Sequence, residues 1–464
     1  MDQIKNKPLA IVKFLAFSTI GIVAFFVYIP IGGQSRLLID HITQFLYRIF
    51  EPAAQVAAAA GAAPPGPFFF IQRYQYLVLI FCLIAIVWTF FIKRTFKRST
   101  LDFVLAIFQI LGTAILLFLM FGIAPDFLAA QLIGPNVVYS MGRSILMILA
   151  TAFFVPLLLF HGLIDAIGIL AKPLMRPVFK TPGLTAVVAA SDLLANFSAA
   201  ILGTNVLYKE GKLTYKEASV ILTGFCSISI GLMLMFSQWL GLVDYFVFYF
   251  ISATIVMCLV TAITVRLPPL RGLANAYYNN KPAEIAEDNV KSDHLRGAWF
   301  AGLKGADAAP SPILTISGFL FMTVRVLAVM ISSTIFVLSA GLLINQFTPI
   351  FEWLGLIFYP IFLFFGLFAP GLAADASVMA TSSALSIVDV FAAVAYGRVY
   401  DLSMASRYVL AAFPVTIIIF AGGYFTCLMA TDFRIKVRHL LMLWFIRMVL
   451  SLIILSTIAV IFFR

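Results

Sequence analysis

Apolar runs of the length needed to cross a lipid bilayer, about 20 residues at 1.5 Å per residue, recur along the whole chain. They cover 11–30, 70–92, 102–123, 143–165, 218–240, 243–265, 313–342, 405–428 and 440–463. Of the 464 residues 62% are hydrophobic and only 11% are charged, against about 25% charged in a soluble domain. No soluble core of this length could hide so much apolar surface, so lipid has to be the solvent. Backbone groups in hydrocarbon need partners within the structure, which leaves helices or a closed barrel. Barrel strands alternate apolar and polar residues, and runs such as 77–88 and 417–420 do not. The expected fold class is an all-α polytopic membrane protein with about nine transmembrane helices.

The 31 Lys and Arg exceed the 20 Asp and Glu, for a net charge of +11. They gather at the ends of the apolar runs, which makes them topology signals and headgroup contacts and not a nucleic-acid surface. Cys82, Cys226, Cys258 and Cys427 lie within apolar runs without a CxxC pair, so neither a disulfide framework nor a zinc site is indicated. Lys5, Lys7 and Lys13 precede a first run too long for a signal-peptide core and without an A-x-A site. It is expected to be a retained span, with the N-terminus in the cytoplasm.

Positive charge orients the rest. The basic cluster 93–98, then Lys172, Arg176 and Lys180, and then Lys209, Lys212 and Lys216 all fall inside. Segment 184–206 therefore leaves the cytoplasm and returns to it. It is too short to cross twice, so a re-entrant helical hairpin is expected. The loop from Arg266 to about 312 reads as a solvated cytoplasmic connector. Arg434, Lys436 and Arg438 sit inside ahead of the final span.

An internal duplication accompanies this pattern. Asp165, Gly168 and Pro173 are answered by Glu352, Gly355 and Pro360, at an offset of 187. Pro182-Gly183, Tyr208 and Phe225 are answered by Pro370-Gly371, Tyr396 and Phe413, at an offset of 188. The charge rule gives the two copies opposite orientations, the inverted repeat characteristic of secondary transporters. The expected units are 1–142, an N-terminal transmembrane region; 143–242, a first repeat with hairpin 184–206; 243–312, a linker span and loop; 313–428, a second repeat with hairpin 371–396; and 429–464, a last span. Segment 351–369 is apolar enough to span, but spanning would move 434–438 outside, so an interfacial position is preferred.

Polar residues are costly inside a membrane and mark functional candidates. Here they concentrate in the hairpins: Ser191, Asp192, Asn196, Ser198, Thr204 and Asn205 in the first, Asp375, Ser377, Thr381, Ser382, Ser383, Ser386 and Asp389 in the second. Half-helix N-termini favour anions, and their carbonyl ends favour Na⁺ or a protonated group. Ser and Thr can equally satisfy freed backbone or allow close packing. Helix 218–240 would set Thr223, Ser227 and Gly231 on one face, and Pro414 with Thr416 would unwind or kink 405–428. The candidate substrate or ion site is thus Asp192, Asn196, Ser198, Thr223 and Ser227 in one half, and Asp375, Ser377, Thr381 and Ser382 in the other. Arg143 suits snorkelling, Arg325 suits pairing with a carboxylate, and His161 with Asp165 suits an interfacial pair or a proton relay. The loop 31–41 suits a surface helix or a lid. HExxH, GxSxG and Walker A motifs are absent, and an enzyme is not expected.

The stretch 174–183, then 204–212, Glu217-Ala218 and Thr223-Gly224-Phe225, with Pro30, Ser35 and Asp40-His41, resembles the YjiH family of bacterial inner-membrane proteins. That family belongs to the nucleoside-recognition, or Gate, group, which is similar in this unit to concentrative nucleoside transporters, spore maturation proteins A and B and the membrane part of ferrous-iron transporter B. The resemblance implies a transport-type core with paired hairpins in a multi-pass protein of the bacterial inner membrane. The expected function is secondary transport of a small polar solute such as a nucleoside, with Na⁺ or H⁺ as coupling ion and no other cofactor or metal. Expected partners are the bilayer, the solute and further copies of the chain, with no nucleic acid. The alternative is a non-transporting membrane partner or pore-forming subunit of a larger complex.

Overall fold

The computed structural model describes residues 7–31, 34–50, 71–92, 100–129, 134–194, 197–225, 227–280, 294–418, 428, 433 and 435–463. Helix α1 (Lys7–Phe26) leads into a two-stranded hairpin, β1 (Tyr28–Ile31) and β2 (Gln34–Leu37), and then α2 (Leu38–Phe50). There follow α3 (Ile71–Ile86), extended to residue 92 by a π-type turn, α4 (Thr100–Met120), α5 (Asp126–Ala129), α6 (Gly134–Leu159) and α7 (Leu163–Leu174). The pair α8 (Thr185–Leu194) and α9 (Phe197–Lys209) precedes α10 (Tyr215–Gly224), α11 (Ile230–Trp239) and α12 (Phe246–Thr264). Then come α13 (His294–Ala308), α14 (Pro312–Phe347), α15 (Ile350–Gly355), α16 (Tyr359–Gly366), α17 (Pro370–Ala374), α18 (Ala376–Leu385), α19 (Val390–Gly397), α20 (Met404–Thr416) and α21 (Val437–Phe462).

The chain is an all-α polytopic membrane protein, the short β-hairpin apart. Among the described residues, seven continuous helices are long and apolar enough to cross a bilayer: Lys7–Phe26, Arg73–Ile92, Phe103–Met120, Val137–Leu159, Val243–Thr264, Pro312–Phe347 and Val437–Phe462. They match seven of the nine apolar runs. The other two, 218–240 and 405–428, are not continuous helices. The first is split into α10 and α11 by residues 225–229, and the second stops being helical after Thr416. This corrects the expected shared face of Thr223, Ser227 and Gly231, because the helical period is lost between them.

Burial explains where the breaks can occur. Ala218 to Gly224 of α10, Ile230 to Ser237 of α11 and Tyr408 to Thr416 of α20 are buried without interruption. Non-helical backbone at membrane depth survives only where protein, not lipid, surrounds it. The windows within α3 and α4 are only 33% and 28% buried, against 72% in α6 and 67% in α14. The outer helices can therefore face lipid, and the broken ones lie inside. Helix α14 packs along α3, α4 and α6, while α12, α20 and α21 form a second group in mutual contact, with α10 packed on α12.

Segment 351–369 is a chain of short helices, α15 and α16, divided at 356–358. Neither approaches the roughly 20 residues a crossing requires.

The loop to 312 is not all solvated connector. Its end forms α13, whose Ala298, Gly302, Leu303 and Ala306 are buried at helical spacing against α7 and α1. Glycines allow the approach: a side chain at Gly305 would collide with Asp165, and one at Gly162 (φ 95°) with the Gly302 carbonyl. Lys13 Nζ donates to the Ala309 carbonyl at 3.3 Å and ties α1 to the end of α13. Gly305→Val should lift α13 off α7 at a cost of about 1–3 kcal/mol, seen as faster tryptic cleavage at Arg296 and Lys304. Gly297→Ala, whose new methyl would meet only Ile169 at 3.6 Å, should leave cleavage unchanged.

Candidate functional site

Helix α10 starts firmly. Thr214 accepts from the Glu217 N–H at 3.2 Å, and Glu217 accepts from the Thr214 N–H at 2.9 Å, a capping box. It ends at Gly224, where any side chain would collide with the Thr261 methyl on α12. The following Ser227-Ile228-Ser229 is non-helical. Helix α20 starts at Ser403, whose hydroxyl accepts from the Ser406 N–H. Pro414 supplies no N–H to its last turn, and the helix ends at Thr416.

Both breaks leave carbonyls without intrahelical partners, and one side chain reaches both. Arg447, eleventh of the 26 residues of α21, is 1% exposed. Its Nε donates to the Thr416 carbonyl at 2.8 Å and its Nη2 to the Gly224 carbonyl at 3.2 Å. Its Nη1 donates to the Thr261 and Thr264 hydroxyls of α12 at 3.1 and 3.4 Å. Thr261 Oγ1 also lies 2.8 Å from the Gly224 carbonyl. One turn before, Trp444 Nε1 donates to Ser386 Oγ at 3.3 Å, at the turn 386–389 that joins α18 to α19. Helix α21 thus fastens both broken helices and the second hairpin with two residues on one face.

The two hairpins converge on α11. Helix α8 packs against it, and Phe391 of α19 contacts Phe236 and Trp239 with ring centroids 5.4 and 6.4 Å apart. Helix α11 also packs on α20. Helices α8, α19 and α20 thus all touch α11.

Within this frame the sequence-derived candidates separate. Asp192 lies in α8 and Ser198 in α9, but their side chains and all of Asn196 fall outside the described residues. Thr223 is buried and donates to the Ser219 carbonyl of its own helix at 2.7 Å. Ser227 sits in the non-helical link, 2% exposed. Asp375 joins α17 to α18, away from the hairpin turn, and accepts from the Ser403 N–H at 2.9 Å, so it caps α20. Ser377 is exposed, while Thr381 and Ser382 are buried on α18. Ser382 Oγ has no hydrogen-bond partner and faces Gly397 across the hairpin. At the turn itself, Asp389 Oδ1 accepts from the Phe391 N–H at 2.8 Å and caps α19.

Arg447, Trp444, Thr261 and Thr264 are missing from the sequence-derived candidates. The available signal was a lone Arg well inside an apolar run. Among the described residues Arg325 meets no carboxylate; its guanidinium lies 4.9 Å from the Trp88 ring centroid. Arg143 stacks over Tyr47 at 3.9 Å and donates to Tyr139 at 3.3 Å, so it is engaged by protein and not extended to headgroups. His161 Nδ1 lies 3.3 Å from the Pro156 carbonyl, and its Nε2 has no partner; a bond to Asp165 is not formed.

A second polar knot holds α2 to this core. Asp40 is fully buried and accepts from Arg36 at 3.0 Å, from Gln238 at 2.6 Å and from Gln44 at 3.4 Å. Tyr47 donates to the Gln238 side-chain carbonyl at 3.0 Å. Arg398, just beyond α19, covers the Trp239 ring at 4.7 Å, and burial followed by the Arg143 charge lowers its pKa to about 10. The Asp40-His41 pair is thus part of a clasp between α2 and the end of α11.

No family model matches the chain. A protein of Alkalihalophilus pseudofirmus described as uncharacterized is 24% identical over 468 residues, covering 97% of this chain and 94% of that protein. Among solved structures, CNTnw, a concentrative nucleoside transporter, aligns in an outward-facing state over 99% of this chain and 92% of its own, at 12% identity and a TM-score of 0.39. In an intermediate state it covers 98% and 92%, at 13% identity and a TM-score of 0.40. Superpositions this loose add nothing to the fold defined by the chain's own helices.

Asp40→Ala would strand the donors of Arg36, Gln44 and Gln238. It should cost about 1–3 kcal/mol, read as a lower midpoint of thermal unfolding in detergent. Asp40→Asn should recover only part, because an amide has one acceptor oxygen.

Proposed function

We propose that the chain is a secondary transporter of a small polar solute, driven by a Na⁺ or H⁺ gradient, with its site between the two hairpins and the broken helices. The observation that carries this reading is the pair of interrupted helices whose open ends meet deep in the protein. A span serving only as a wall has no reason to give up backbone hydrogen bonds at depth. Interrupted helices expose carbonyls and N–H groups that can exchange partners with a solute, and secondary transporters place their sites at such points.

In this reading 143–242 and 313–428 are inverted copies, the hairpins 184–206 and 371–396 enter from opposite sides, and the protein spans the bacterial inner membrane with its N-terminus in the cytoplasm. Ser227, in the link after Gly224, and Ser386, at the second hairpin turn, supply hydroxyls to the site. Asp192, Asn196 and Ser198 complete the first half-site. Asp375 then acts on the site indirectly, by holding the start of α20. A nucleoside suits a site of hydroxyls and amides, and the resemblance to the nucleoside-recognition group supports that class. The reading is non-enzymatic and requires no resident cofactor.

Purified protein in liposomes should accumulate labelled uridine or adenosine when a Na⁺ or proton gradient is imposed. Ser227→Ala should reduce initial uptake about tenfold, equivalent to about 1.4 kcal/mol, with the elution profile of the protein unchanged. Gradient-independent or absent uptake across nucleosides, bases and amino acids would overturn the proposal.

A further inference from the structure

Four groups around the Arg447 guanidinium are acceptors. Gly224 and Thr416 present carbonyls. Thr261 and Thr264 present hydroxyls placed to donate to carbonyls: Thr261 to Met257 and Gly224, both within 2.8 Å, and Thr264 to Val260 at 2.8 Å. With those protons committed, the oxygens offer lone pairs to Arg447. None of these four partners is a carboxylate. The two helix ends supply negative potential, each equivalent to about −0.5 charge. Together they amount to about one negative charge against the single positive charge of the guanidinium. A buried cage of oxygens at half-helix C-termini is the kind of place where secondary transporters bind Na⁺.

We infer that Arg447 is a built-in cation: its guanidinium permanently fills the oxygen-lined junction where two half-helix C-termini would otherwise draw a cation from solution. Resting on the transport reading above, this means that the driving Na⁺ or H⁺ does not enter at this junction. Arg447 fixes the charge there at every ion concentration and makes the junction a hinge that opens and closes around a constant cation. Guanidinium suits the position because its planar fork reaches two carbonyls and two hydroxyls at once, whereas a Lys ammonium has one nitrogen and three donors.

The test needs no transport assay. Full-length protein in detergent is melted in NaCl or in KCl, with and without millimolar methylguanidinium, as wild type, R447A and R447K. R447A should melt several degrees below wild type, and methylguanidinium should recover about half of that loss in a saturable way, beyond its effect on wild type. Na⁺ should raise the R447A midpoint above the K⁺ value by more than it does for wild type. An R447A chain as stable as wild type, or one destabilised yet indifferent to both methylguanidinium and Na⁺, overturns the inference. If R447A yields no folded protein, R447K carries the test. Its ammonium cannot serve both carbonyls, so its midpoint should fall and gain a Na⁺ dependence that wild type lacks. A wild-type midpoint, or a lowered one with no Na⁺ dependence, overturns the inference. Absence of transport activity would leave these midpoints untouched, so failure of the functional reading and failure of this one are distinguishable.

Discussion

A lone positive charge near the middle of a membrane helix is tolerated only if negative potential surrounds it, because its isolated burial costs at least about 2.5–3.5 kcal/mol on insertion scales. Arg447 is met by carbonyls released where α10 and α20 stop and by two threonine hydroxyls of α12. The dependence runs both ways. Without Arg447 both helix ends would lose a donor to their last carbonyls, and Arg447 would lose two acceptors if the helices were continuous. One side chain therefore joins α10, α12, α20 and α21. Through Trp444, one turn away, the same helix face reaches the second hairpin at Ser386.

This arrangement divides the molecule into parts with different freedoms. Helices α3, α4, α6 and α14 pack as long continuous rods. The ends of the half-helices α10 and α20 depend on side chains contributed from elsewhere. Segments held by few, exchangeable hydrogen bonds are where a fold can take up a second conformation at low cost. The Asp40 clasp makes the same point at the far end of α11, since Gln238 and Tyr47 tie that end to α2.

Much of the architecture was legible in the sequence because lipid imposes length and apolarity, both visible residue by residue. Seven apolar runs appear as continuous helices, and α8 packs on α9 and α18 on α19 within the segments expected to be hairpins. Sequence-level reasoning faltered wherever the outcome depended on distant partners. Hydropathy cannot distinguish a continuous helix from one whose missing bonds are replaced by an Arg more than two hundred residues away. For that reason Thr223, Ser227 and Gly231 seemed to share a face, and Arg447 passed for an ordinary residue of the last span. Asp375 illustrates the converse: its polarity was visible, but its use as a cap for α20 required knowing where Ser403 lies. Likewise, α13 hid in a polar loop because its buried stripe consists of small residues with little hydropathic signal.

The central claim is that the break between α10 and α11 borders a path reached by water during a transport cycle, although Ser227 is 2% exposed in the conformation described. The most direct measurement is labelling of Ser227→Cys by a membrane-impermeant thiol reagent, in a chain whose four native cysteines have been replaced, using vesicles of both orientations. The account predicts slow labelling from at least one side, with a rate that changes when a Na⁺ or proton gradient is imposed. A Ser227→Cys chain that folds and stays unlabelled from both sides under every gradient would mean that the break is sealed protein interior, and would contradict the account.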